Sequence, residues 1–87
     1  MSDKARNELL TKGLRGIQLE TAMTWADRAC EAGKLADEQP DDPRWLHMFY
    51  EMEHEAIEHA AGVGDTKFLE GIRAMLAKAR PRSAAPE

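Results

Sequence analysis

Cysteine occurs once in this 87-residue chain, as Cys30, so no internal disulfide can form, and the thiol usage suits a reducing cytoplasm. Serine is confined to Ser2 and Ser83, near the two ends, which leaves little from which to assemble a nucleophilic triad. Gly13 and Gly16 are not followed by the Lys-Ser/Thr of a phosphate-cradling loop, and neither a nucleophile elbow nor a Cys-x-x-Cys is present. No histidine comes with an obvious catalytic partner, so the expectation is a protein without enzymatic activity. No apolar run approaches the roughly 18 residues of a membrane span. Met-Ser-Asp-Lys-Ala-Arg leads into no apolar segment, so neither a signal peptide nor a membrane partner is expected. Aromatics are only 6% of the residues, so the core must be largely aliphatic.

β-Branched residues are also scarce: one Val, three Ile and four Thr, against fourteen Ala, eight Leu and five Met. Strands favour the first group, whereas the second loses little entropy in a helix. The composition therefore predicts an all-α fold, a small helical bundle in a single domain over residues 1–80, with residues 81–87 as a tail. For so short a chain, burial and ordering entropy nearly cancel, and self-association is a reasonable expectation.

Four helices are predicted. A short one begins with Ser2 as N-cap and ends near Lys12, ahead of Gly13. A long one covers about 17–37, with Leu19, Ala22, Met23, Ala26, Ala29, Cys30 and Gly33 on one face. Asp42 then caps a third helix over about 43–61, with Pro43 at its first position. Its apolar seam is Trp45, Phe49, Met52, Ala56, Ala60 and Val63. Steps of four and three in both long helices favour a near-antiparallel hairpin. A fourth helix, about 66–80, carries Phe68, Leu69, Ile72, Met75, Leu76 and Ala79 on one face, and Pro81 stops it.

The net charge is −4, and it is unevenly placed. Between Trp45 and Thr66 there are five acids and no Lys or Arg; between Lys67 and Arg82 there are five bases and one acid. Such blocks either pack against one another or form separate solvated faces. Acidic balance speaks against a nucleic-acid partner, because phosphate contacts demand positive surface. Residues 61–68 resemble the turn of a helix-turn-helix, but Glu58 stands where that motif needs a small buried residue.

His47, Glu51, His54, Glu55, Glu58 and His59 crowd the third helix. Glu51-Met52-Glu53-His54 resembles the Glu-x-x-His element of carboxylate-bridged di-iron bundles, a likeness confined to four positions. It implies iron, manganese or zinc held by Glu51, His54, Glu55 and Glu58, with the site completed between chains. Against that stands helical geometry. With Trp45 at zero, His47, Glu51, His54 and Glu58 fall between about 180° and 240°, while the apolar seam centres near 20°. These groups should therefore face solvent, and no cofactor is expected. Glu53 and His59 fall nearer the seam and should be partly buried, with Glu53 reaching solvent or an Arg of the first or last helix.

Trp25, Leu46, Tyr50 and Ile57 lie off the centres of their apolar faces, and with Glu53 they are the interface candidates. The strip Leu46–Tyr50–Ile57–Ala61, beside Glu53, can accept another helix, from this chain or a second one. The leading expectation is a non-enzymatic interaction module that forms a homodimer or docks on a protein partner. The metal-binding reading comes second. A small acidic inhibitor or regulator of a basic partner comes third.

Overall fold

The computed structural model describes the backbone of residues 3–84 and the side chains of residues 16–84. Its elements are α1 (Asp3–Glu38), α2 (Pro43–Val63) and α3 (Thr66–Ala79), with no strand among the described residues. The all-α expectation holds, and the second and third of these helices match their predicted spans to within two residues.

The short N-terminal helix, however, is not separate. It and the predicted 17–37 helix are one continuous α1 of 36 residues. Gly13 and Gly16 each cost about 1 kcal/mol relative to Ala, but helix propagation adds one backbone bond per residue and no proline interrupts the run. The expected Ser2 cap lies outside the described residues.

The turn between α1 and α2 is closed by side chains. Asp42 accepts from Arg44 N at 3.1 Å, and the Arg44 guanidinium grips the same carboxylate at 2.8 Å. That hydrogen bonding holds the Asp42 carboxyl below its ordinary pKa. Trp45 Nε1 donates to Gln39 Oε1 across the turn at 3.3 Å. At the far end, Gly62 lies level with Gln18. A helix rises about 1.5 Å per residue, so α1 is ~54 Å long and α2 ~31 Å. The first four turns of α1 therefore run on past the end of the hairpin, and the longest dimension is 59 Å.

Alanine dominates what α1 contributes to the core. Ala22, Ala26, Ala29, Ala32 and Ala36 are buried, while Met23 is exposed and Leu19 and Cys30 are half-buried. The buried stripe is thus turned from the expected Leu19–Met23–Cys30 seam, because small side chains let the other helices approach closely. The volume is filled from those helices, by Phe49 of α2 and by Ile72 and Leu76 of α3. Gly33 completes the close approach: a Cβ there would collide with the Ala79 carbonyl oxygen at the end of α3.

Gly64, at φ 81°, ends α2, and Asp65 caps α3 by accepting from Lys67 N at 3.0 Å and Phe68 N at 3.2 Å. Asp65→Ala should lower folding stability by about 1 kcal/mol, read as a lower urea midpoint with an unchanged slope. Beyond α3, Pro81 is buried and Arg82 N donates to Asp37 Oδ1 at 2.8 Å, which ties residues 81–84 to the end of α1. Residues 85–87 of the expected tail lie outside the described residues.

Candidate functional site

The hairpin has two sides, and α3 covers one of them. It lies along the strip that the sequence marks as able to accept a helix. Glu53 and Ile57 of α2 border a cleft with Arg73, Ala74, Leu76 and Ala77 of α3. Arg80 closes this contact: its guanidinium meets Glu53 Oε2 at 3.4 Å and sits 5.8 Å from the centre of the Tyr50 ring. Tyr50 in turn makes an edge-on contact with Phe49, ring centres 6.0 Å apart. The helix on the Tyr50–Glu53–Ile57 strip is therefore the chain's own, and Glu53 has found an arginine of the last helix. Leu46 is half-buried one turn before Tyr50. This Glu53–Arg80 pair is where the acidic and basic helices meet; Lys67, Arg73 and Lys78 are exposed.

The opposite side of the hairpin is open. Trp25, Glu51, Met52, His54 and Glu55 line one depression. A second one continues it toward the turn, bordered by Arg28, Glu31, Leu35, Trp45, Met48 and again Met52. No residue of α3 borders either. Trp25, Leu35, Trp45, Met48 and Met52 are all half-buried, so each packs on the hairpin and leaves part of its surface in water. Arg28 lies over the Trp25 ring at 5.4 Å, a cation–π contact along the floor of the groove.

Of the five interface candidates, only Trp25 borders this groove. The sequence pattern does not single out Leu35 or Met48, and it places Trp45 and Met52 in the core. The available signal is angular: Met48 and Met52, four residues apart, share the flank of α2 opposite Tyr50 and Ile57.

The Glu/His stripe stands out from the helix, as its angles require. Glu51, His54 and Glu58 are exposed and Glu55 is half-buried. Each imidazole pairs with a carboxylate four residues away. His47 Nε2 meets Glu51 Oε1 at 2.9 Å, His54 Nε2 meets Glu58 Oε1 at 3.3 Å, and His59 Nε2 meets Glu55 Oε2 at 3.5 Å. Glu51 and His54, the pair of the di-iron resemblance, thus turn to different partners. Among the described residues no three His, Cys, Asp or Glu side chains gather where they could hold one ion.

Cys30 is half-buried, and burial above all, with the nearby Asp27 charge, raises its thiol pKa. That environment favours the protonated, poorly nucleophilic form. Among the described residues no helix is long and apolar enough to cross a membrane. Comparison with protein-family models, with curated proteins and with solved structures finds no match to this chain.

Proposed function

We propose that this chain is a non-enzymatic helical interaction module that pairs with a second copy of itself. The observation that carries the reading is the open α1–α2 groove, with two tryptophans, two methionines and a leucine half-exposed along it. Trp and Met are enriched at the centres of protein interfaces, and a buried Trp commonly dominates their energetics. Methionine adds a pliable surface that fits a partner of irregular shape.

The shape of the molecule supports the same reading. Three helices spread over 59 × 19 × 13 Å bury less apolar surface than a compact bundle of equal length. A second copy on the open side would complete a layered core of the kind four-helix bundles build from paired hairpins.

Sedimentation equilibrium over a dilution series tests this. The expected mass is twice 9.8 kDa at high concentration, falling toward one chain on dilution. Met52→Asp places a charge at the middle of the groove and should weaken the dimer at least tenfold, about 1.4 kcal/mol. Circular dichroism on the diluted variant should still show the helical content of the wild type. A single-chain mass at every concentration would contradict the reading.

A further inference from the structure

We infer that two copies meet open side to open side about a two-fold axis parallel to the helices, so that α1 of each lies on α2 of the other and Arg28 pairs with Glu55 across the interface. This rests on the self-association proposed above and names its geometry.

The first observation is which side chains leave the open side. In helical register, with Ala22 at zero, Trp25, Arg28 and Ala32 of α1 fall between about 240° and 300°. With Phe49 at zero, Met48, Met52 and Glu55 of α2 fall in about the same range, on the flank away from α3. All six border the two depressions. Glu31, Glu51 and His54 border them too, but stand further round, between about 140° and 200°, on the outer edges. The middle of the face therefore carries one cation, on α1, and one carboxylate, on α2. Arg28 is exposed and makes no ion pair among the described residues; its own-chain contact is the Trp25 ring. Glu55 meets only an imidazole, that of His59, at 3.5 Å.

The second is level along the hairpin. Gly62 stands beside Gln18, and antiparallel helices carry that pairing along residue for residue. Arg28 is thus level with Met52, and Trp25 with Glu55, as their shared depressions show. A two-fold axis parallel to the helices leaves every level unchanged. It sets Arg28 of one copy over Met52 of the other, within one turn of Glu55. Helical side chains lean toward their own N-terminus, which carries Arg28 and Glu55, on antiparallel helices, toward each other.

The other two-fold that brings the open sides together runs across the helices. It lays α1 on α1 and α2 on α2. Wherever that axis is placed, Arg28 then faces Trp25, Arg28 and Ala32, and Glu55 faces a helix with no Lys or Arg from Trp45 to Val63. Charge complementarity selects the parallel axis, and fixing orientation is the main work of such pairs. Trp25 and Met52 beside each pair supply apolar contact. Both pairs form at once, giving an isologous, self-limiting dimer.

The test uses full-length chains and sedimentation equilibrium at low salt. Arg28→Glu sets carboxylates against each other across the interface, and Glu55→Arg does the same with guanidinium groups. Each single variant should dimerise at least tenfold more weakly than wild type. The chain carrying both changes regains two attractive pairs and should return to within about threefold of wild type. Circular dichroism of each diluted variant should match wild type, and recovery in the double variant shows independently that both replacements fold. Under the crossed axis residues 28 and 55 never face one another, so the two changes would act independently and the double variant would recover nothing. That result, or single variants as tight as wild type, would overturn this arrangement while leaving self-association standing. A monomeric wild type would overturn both.

Discussion

Phe49→Ala should remove about 3–5 kcal/mol of folding stability, the range found for deleting a buried phenyl ring. Phe49 is fully buried and, with Leu76, is one of the two largest enclosed side chains among the described residues. Its surroundings make the upper part of the range the expected one. Among the described residues, those that α1 buries are alanines and Gly33, the last in contact with the ring, and such small residues have no reach with which to refill the space. Collapse would require the helices themselves to move. An 87-residue domain has roughly 4–13 kcal/mol to lose at about 0.05–0.15 kcal/mol per residue, so the variant should be partly unfolded or close to it. Urea unfolding followed by circular dichroism gives the number. A loss below about 1.5 kcal/mol would mean that the ring does not fill the centre of this fold.

The second large effect has an unexpected sign. Glycine in mid-helix is ordinarily a weakness, and replacing it with alanine gains about 1 kcal/mol. At Gly33 the same change should cost roughly 1–2 kcal/mol net, because overpacking of a close contact outweighs the propensity gain. The added methyl would meet the Ala79 carbonyl oxygen, a backbone atom, and Phe49 Cδ2 at 3.3 Å. The end of α3 cannot simply swing aside. It is held by Arg80 on Glu53 and by Arg82 N on Asp37, on either side of the buried Pro81. Gly71 is the internal control: it is exposed in α3, and a methyl added there would meet nothing within 4 Å. Gly71→Ala should stabilise by about 0.5–1 kcal/mol. Equal gains at both positions in the same urea assay would show that α3 is not seated on Gly33.

Helix type and the ends of α2 and α3 are legible in the residues alone, because Asp42-Pro43, Gly64-Asp65 and Pro81 are local signals whose chemistry acts within one turn. The join of the first two predicted helices is not legible. Gly13 and Gly16 look like a break, and only the cooperative run of good helix formers on both sides overrides them.

Angular patterns locate the Glu/His stripe correctly on the outside of α2, since those positions lie opposite the buried stripe. They serve less well at the flanks. Tyr50, Glu53 and Ile57 form a landing strip, but wheel angles cannot tell whether the landing helix belongs to the same chain. Arg80 decides that, because it touches both Tyr50 and Glu53 from the end of α3. Once α3 has taken that flank, the opposite one, with Trp25, Met48 and Met52, is left open. No periodicity in α1 or α2 contains that information; it depends on the side to which a third helix folds.

The most direct test of the open groove comes from the chain's own fluorescence. Its two tryptophans, Trp25 and Trp45, both border the groove, so no label is needed. Acrylamide quenching measured across a dilution series should weaken, and emission should shift to shorter wavelength, as concentration rises through the dimer midpoint. Quenching that stays constant while the sedimenting mass doubles would place the contact elsewhere on the molecule and contradict pairing through the groove.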